Sequence, residues 1–465
     1  MNNSNTSRLS RALAAGIILS CALLLYGCRK NTAEDSSGSS LKVYNFENAG
    51  GRMGFDAVKL SNNTFVAILQ DNLYSDNFFV TYADTSRRGS LLCVDANGEK
   101  LWDARLPYGF LFSGITATGD GGLAVVGYKP GRGHSAMYRD YSYDMEVSLT
   151  LYVEHYTADG HKDWHYSSEQ PLQGLSAAIC SGQDGNSIEV GGGQQKQPYR
   201  IHLINLTLNG GLSSIGEISV PGDDTLCYVP QKICASGNGF VITGGLELYD
   251  TTMYPPGYNS DNFYFTLKAD ASGNLLWRYQ PGNIWSYANY DFSYNSSLGE
   301  DVCTDGGNMV IAAKDSSNIT LTNNYVIPQT IFPDFRGNFF QMPHGTIALD
   351  ILDARTGSLS RSATFPFGDP VALPYIRRTK DNHYLITATH DFNIHPSRIF
   401  LLKADKDWNT VWQQQLAIPY PASPFGILEA DDGSYLMFAN VQVFNGNKMS
   451  MAVIKIDQDG GIVEE

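Results

Sequence analysis

At 465 residues the chain exceeds the usual single-domain length, so two domains or one repeat array are the options. Aromatics reach 12% and glycines number 46, while charged residues are held to 17%, a mixture that favours strands and tight turns over long amphipathic helices. A formal net charge of −15 with no run of Lys and Arg argues against a nucleic-acid partner, which needs clustered cations to displace phosphate counterions.

The first predicted element is a processing signal. Arg8 and Arg11 supply a positive start, and Ala12 to Gly27 is an uncharged, mostly apolar stretch of 16 residues. About 20 such residues are needed to span a bilayer as a helix, so the stretch is short for that role. It ends in Leu25-Tyr26-Gly27-Cys28, which resembles a bacterial lipobox. The resemblance implies that residues 1–27 are a signal peptide and that Cys28 becomes the lipidated N-terminus. Several acyl chains, at about 0.8 kcal/mol per buried CH₂, hold a protein stably on a membrane. Residues 28–41 then form the lipidated Cys and a flexible polar tether. Glu34-Asp35 is similar to export signals that send lipoproteins to the outer face of the outer membrane. The expected location is therefore the bacterial outer membrane, lipid-anchored and directed to the cell surface.

Residues 42–465 carry two interleaved series of turns. The first runs "DANGEKLW" (95–102), "TADGHKDW" (157–164), "TLNGGLSS" (207–214), "DASGNLLW" (270–277), "DARTGSLS" (353–360), "DKDWNTVW" (405–412) and "DQDGGIVE" (457–464). Its eighth position holds Trp102, Trp164, Trp277 and Trp412. The second runs from "NNTFVAI" (62–68) through "GDGGLAVVG" (119–127), "QDGNSIEVGG" (183–192), "GNGFVITGG" (237–245), "DGGNMVIAA" (305–313) and "DNHYLITAT" (381–389) to "DDGSYLMFA" (431–439). Each series counts to seven, so each unit holds four short strands. In the second unit, "SGITAT" precedes the second turn type and apolar "GLAVVG" follows it. "VSLTLYVEHY" (147–156) alternates strictly, and the fourth strand carries the Trp. The fold class predicted is all-β, a seven-bladed β-propeller of four-stranded blades preceded by a lipoprotein signal peptide and short tether. "LKVYNFENAGG" (41–51) aligns with "KLWDARLPYG" (100–109), so the N-terminal strand is expected to complete, or pair beside, the last blade.

The repeated Trp is expected to dock over the neighbouring blade or its turn, and the turn Asp to cap its own backbone amides. No turn has the ligand spacing of an EF-hand. These units resemble the quinoprotein-type (PQQ-type) propeller repeat, and more closely the repeats of secreted and lipid-anchored propellers. That resemblance speaks to architecture, which hosts both dehydrogenases and scaffolds. Quinoprotein dehydrogenases are expected to carry an adjacent Cys pair, and the sequence has none.

Beyond Cys28 the mature chain has Cys93, Cys180, Cys227, Cys234 and Cys303. Cys180, Cys234 and Cys303 share one repeat position and read as small buried thiols; Cys227–Cys234 is the one pair near enough in sequence to consider bridging. His155, His161 and His165 cluster around one strand and turn without a zinc spacing. No catalytic motif, cofactor motif or metal set stands out, so no catalytic residue, cofactor or metal is assigned.

Both turn series close one end of each blade, so the long connections leave from the other end. They are rich in Tyr, Asn, Asp and Pro, and long loops grouped on a rigid scaffold are a default binding surface. The candidate ligand-binding residues are Tyr138, Tyr141, Tyr143, Tyr254, Tyr258, Trp285, Tyr287, Tyr290 and Phe335. The function predicted is a non-enzymatic, lipid-anchored envelope propeller that binds a glycan or protein partner through these aromatics. The alternatives are a polysaccharide-active hydrolase or lyase, or an outer-membrane assembly scaffold.

Overall fold

A computed structural model describes residues 41–44, 52–71, 88–130, 149–168, 177–182, 185, 187–193, 200–220, 226–250, 257–279, 293–296, 299–304, 309–315, 317–321, 340–341, 346–366, 371–390, 397–420, 422–444 and 447–463. The described architecture is all-β and propeller-like, built of four-stranded antiparallel sheets.

Seven such sheets occur among the described residues. Sheet one is Arg52–Lys59, Phe65–Asp71, Arg88–Val94 and Lys100–Tyr108; sheet two is Leu111–Ala117, Leu123–Pro130, Leu149–Tyr156 and Lys162–Ser167. Sheet three is Ala177–Ser181, Ser187–Gly193, Arg200–Thr207 and Leu212–Ser219; sheet four is Leu226–Ser236, Gly239–Asp250, Gly257–Asp270 and Leu275–Tyr279. Sheet five is Gly299–Thr304, Met309–Asp315, Thr346–Asp353 and Leu359–Pro366, and sheet six is Val371–Arg378, Tyr384–His390, Ser397–Ala404 and Thr410–Ile418. Sheet seven takes Ala422–Glu429, Tyr435–Phe444 and Asn447–Ile456 from the C-terminal end, with Leu41–Tyr44 as its outermost strand.

Each sheet is a meander whose first strand touches the first strand of the next, and the first strand of sheet seven touches that of sheet one. The cores lie between sheets. Ala67, Leu69 and Leu92 of sheet one pack on Phe425 and Phe438 of sheet seven, while Val66, Ile68 and Leu91, on the opposite face, pack on Val125 and Tyr152 of sheet two. Five successive side chains of one strand, Phe65 to Leu69, therefore point alternately into two different cores. That explains why the second strands read as continuous apolar runs. The pattern continues round to sheets six and seven, where Leu401 and Leu416 meet Ile427 and Met437. "LTLYVEHY" follows the same rule: Leu151 and Val153 face sheet three, whereas Tyr152 and Tyr156 face sheet one. Glu154 shares the second face and is fully buried, accepting hydrogen bonds from Tyr152 Oη at 2.8 Å and Tyr156 Oη at 2.6 Å, and from Lys162.

Both chain ends build the outer edge of sheet seven. Leu41 pairs with Ile454 and Tyr44 with Met451. Beyond the last turn, Ile462 bridges Ile456 and the Val463 amide donates to the Lys455 carbonyl at 3.1 Å. The C-terminal stub thus starts the outer strand and the N-terminal segment continues it. Lys42 pairs with Glu99, and Tyr44 Oη donates to the Gly98 carbonyl, tying this strand to the turn of sheet one.

Two features depart from the sequence reading. Ser293–Ser296, Ser317–Leu321 and Phe340–Gln341 form an additional three-stranded sheet within connections expected to be loops, and its first strand touches Gly257–Asp270 of sheet four. Cys227 and Cys234 lie on the same extended strand, Leu226–Ser236, so seven residues at about 3.3 Å each hold them ~23 Å apart and forbid a bridge. Cys93 is a buried free thiol, and Cys180 is buried as well. Burial pushes the Cys93 thiol up to about 11.

Candidate functional site: the axial cluster and the long-connection end

The four repeated Trp residues share one geometry. Each lies on the outermost strand of its sheet and donates its indole N–H to a carbonyl in the turn of the next. Trp102 reaches Ala158 at 3.1 Å, Trp164 reaches Leu208 at 2.6 Å, Trp277 reaches Ala354 at 3.0 Å and Trp412 reaches Gln458 at 2.9 Å. They are structural clamps between neighbours. At the junction of sheets five and six, the clamp is inverted. Trp408 itself takes the left-handed position of the turn, with φ of 65°, and stacks on Tyr384 at 4.4 Å. Arg361 supplies the donor there, to the Asp407 carbonyl at 2.8 Å.

The turn Asp residues cap as expected. Asp270 Oδ1 accepts from the amides of Ser272 and Asn274, both at 2.9 Å, and Asp405 Oδ1 from those of Asp407 and Asn409, both at 2.8 Å. The Asn274 side chain and these amides hold the Asp270 carboxyl below the usual carboxylate range; Asn409 and its turn amides do the same for Asp405. At the other turn series, Asp431 of sheet seven is bracketed by Lys380 of sheet six at 2.8 Å and Lys59 of sheet one at 2.6 Å, which lower it to about 2.

The first strands carry a further repeated device. In six of the seven sheets the pairing of first and second strand slips by one or two residues, at Phe55, Ser113, Gln231, Glu300, Leu373–Pro374 and Phe425. A bulge bends its strand and re-aims the side chain that follows. The residue after each bulge opposes the fourth or fifth residue of the second strand, as Asp56 opposes Ile68 and Lys232 opposes Thr243. Asp301 of sheet five opposes Ala313 at the same level.

At that level the axis is charged. Asp56 of sheet one is bonded by Lys232 of sheet four, three sheets away round the ring, and Arg377 of sheet six brings its guanidinium to 3.8 Å from the same carboxylate. The Asp56 side chain is 7% exposed, and those of Lys232 and Arg377 are each 23% exposed. Three non-adjacent strands thus meet on one carboxylate, which cross-braces the ring. Chemically, the carboxylate is held between two cations, Lys232 and Arg377. Sequence reasoning missed this cluster. A signal existed: Asp56, Lys232 and Asp301 are charged residues standing eight or nine positions before the apolar run of their second strands.

Two amide side chains, also missed, clasp successive sheets. Asn440 accepts from the Gly54 amide at 2.6 Å and donates to the Gly54 carbonyl at 3.0 Å. Gln70 occupies the equivalent position in sheet one, accepting from the Phe112 amide at 3.2 Å and donating to the Phe110 carbonyl at 3.4 Å.

Of the histidines, His155 is buried, with its ring stacked 5.2 Å from Trp164 and its nitrogens 3.3 Å from Asp120 and 3.4 Å from Asp163. His161 lies on the surface beside Asp159, and His165 lies against Tyr152, so the three do not converge.

Of the aromatic candidates, Tyr258 lies on the Gly257–Asp270 strand opposite Tyr249. Tyr138, Tyr141, Tyr143, Tyr254, Trp285, Tyr287, Tyr290 and Phe335 lie outside the described residues, as does Cys28. The strand ends that flank them are described. Pro130 pairs with Leu149 across the connection 131–148, and Asp250 with Gly257 across 251–256. Both pairs stand at the end of their sheets opposite the two turn series.

No family model matches the chain, and no curated protein matches it. Among solved structures, the chain is similar to the WD40 domain of Neurospora crassa Pan2, at 10% identity and a TM-score of 0.43, covering 87% of this chain and 94% of that one. It is also similar to the lignostilbene dioxygenase of Pseudomonas brassicacearum, at 8% identity and 0.48, covering 92% and 93%. A third similar structure is the alpha-L-arabinofuranosidase Arb93A of Fusarium graminearum, at 12% identity and 0.41, covering 75% and 93%. At such identities no activity, substrate or site is carried across.

Proposed function

We propose that the chain is a seven-bladed β-propeller, lipid-anchored through Cys28 at the bacterial outer membrane, that binds a glycan through the end bearing its long connections. One observation carries the reading: both described turn series are short, capped hairpins at one end of the sheets, while the aromatic-rich connections 131–148 and 251–256 spring from the other. A rigid ring that spends its irregular chain on one end presents that end to a partner. Tyr and Trp offer sugar rings a flat apolar face, and Asn and Asp satisfy hydroxyls. The cyclic order of sheet contacts supports the blade number, and the Leu25–Cys28 lipobox resemblance supports the anchor.

A polysaccharide gel-shift or glycan array on residues 42–465, with Trp285→Ala and Tyr287→Ala beside the unaltered chain, tests the proposal. Retardation by a glycan that either substitution weakens at least fivefold is the expected result. Shortened glycan products would replace it with the hydrolase or lyase reading. Binding to an envelope protein with no glycan shift would replace it with the protein-partner or assembly reading.

A further inference from the structure

We propose that the seam between sheets one and two, at the end opposite the turns, binds an acidic saccharide whose carboxylates are held by Arg88 and Lys129. The inference rests on the glycan reading above and deepens it: it names the ligand's class and takes its contacts from described strands alone.

Arg88 opens the third strand of sheet one and pairs with Tyr108, the last residue of the fourth. Its guanidinium lies over the Tyr108 ring, 4.6 Å from the centroid. Nε donates to the Leu106 carbonyl at 2.8 Å and Nη1 to Tyr108 Oη at 3.3 Å. Two of the five N–H donors of an arginine are thereby used, and the others meet no acceptor among the described residues. Tyr108 is 60% exposed. Gly109, with φ of 76°, then turns the chain, so Phe110 stands at most ~7 Å along the backbone from Tyr108. Lys129, near the end of the second strand of sheet two, places its ammonium 5.7 Å from the Phe110 ring centroid. Phe110 itself lies 4.3 Å from Tyr152.

Lys162 also lies over an aromatic ring, that of Tyr152 at 5.8 Å, but Glu154 matches its charge. Arg88 and Lys129 have no carboxylate at ion-pair distance among the described residues. In a chain of net charge −15, two unmatched cations at one seam reverse the local sign of the surface. Each is already laid on a ring, which holds a long side chain in place, so an arriving carboxylate need not order it. The fork of Arg88 suits the two oxygens of a carboxylate, and the exposed ring of Tyr108 offers a pyranose an apolar face. Two cations within an acidic molecule are too few for the dense phosphates of a nucleic acid. They match a chain that carries one carboxylate per ring.

Titration calorimetry of the full-length chain tests this, with uronate oligomers, the methyl esters of the same oligomers and neutral oligomers as probes. The uronates should bind, weaken as salt is raised, and lose ~tenfold in affinity on esterification. Arg88→Gln and Lys129→Gln should each weaken uronate binding by a similar factor and leave the esters unaffected. Lys129 makes no hydrogen bond among the described residues, so its replacement keeps the fold even if that of Arg88 does not, and thermal melts of both variants show which is the case. Uronates and esters bound alike, neutral oligomers bound alone, or uronate binding unchanged by Lys129→Gln would overturn the seam and leave a glycan partner standing. If no oligomer of any kind binds, the glycan reading fails and the inference falls with it.

Discussion

The indole of Trp102 in sheet one lies flat against Gly160 in the turn of sheet two: a Cβ built on Gly160 would stand 2.7 Å from Trp102 Cδ2. Gly160 also holds a φ of +83°, a left-handed conformation that disfavours any side chain. Trp164 with Gly210, Trp277 with Gly357 and Trp412 with Gly460 repeat the contact. At these four junctions the repeated Trp and the repeated turn Gly are halves of one joint, the Trp of one sheet and the Gly of the next. Gly160→Ala is expected to cost ~2–4 kcal/mol, from strain and overlap together. Trp102→Ala should cost ~2–3 kcal/mol, since the indole is only partly buried. Urea unfolding of both and of the double variant checks the coupling. Additive losses would mean the two residues act separately.

Lys232 and Asp56 join sheets that share no wall. Lys232→Met leaves the carboxylate of Asp56 with the Ala57 amide and, as its remaining cation, the more distant Arg377, and a loss of ~1–3 kcal/mol is expected, at the lower end because Lys232 is partly solvated. Asp56→Asn combined with Lys232→Met should recover most of that loss. A thermal-melt cycle of the four proteins decides it, and a double variant no better than the worse single one contradicts the brace.

Acid should loosen the turns. The Asn274 side chain holds Asp270 down, Thr356 holds Asp353 down, and Asn409 holds Asp405 down, with turn amides adding to each. A lowered folded-state value means the stabilisation is complete above the ordinary carboxylate range near pH 4, and is lost as pH falls through the lower folded value. Replacing all three by Asn, which still caps a turn, should lower the melting temperature at pH 7 and flatten its fall between pH 4 and pH 2. Parallel curves for both proteins would disprove the caps' role.

Alkali should act through Cys93. Burial raises its thiol from 9.0 to about 11, so the folded chain holds that proton more tightly than the unfolded one. Its contribution is full below pH 9 and declines as pH rises toward 11. Cys93→Ala should show a shallower alkaline decline in melting temperature. In the native protein the thiol should resist alkylation at pH 8 and react once urea is added, as peptide mapping of labelled Cys93 would reveal.

Removing residues 41–44 should expose the edge of Asn447–Ile456 and delete the ties to Gly98 and Glu99. A chain beginning at residue 46 is expected to melt several degrees lower and to self-associate through the freed edge. An unchanged melt and a monomeric profile in gel filtration would refute it.

The repeats were legible because they are local. A turn with one left-handed residue, an apolar strand and a Trp at fixed offset are each written within ten residues, and the seven sheets follow that spacing. Cys180, Cys234 and Cys303 were recognised as equivalent, and Cys180 and Cys234 do fall at one register level of their first strands, opposite Glu189 and Val241. The alternating faces of Leu151–Tyr156 were legible too, but not that both faces are interior: Glu154 reads as solvent-facing until sheet one covers it.

What the amino-acid order determined was the sheet unit, its number of turns and the residues that join each sheet to the next, since these depend on spacings shorter than one unit. Tertiary structure alone decided the meeting of Asp56 with Lys232 and Arg377, the clasp of Asn440 on Gly54, and the completion of sheet seven by Leu41–Tyr44. Each of these joins residues more than 170 positions apart. No periodicity links such partners; closure of the ring brings the first residues beside the last and turns strands from opposite sides onto one axis.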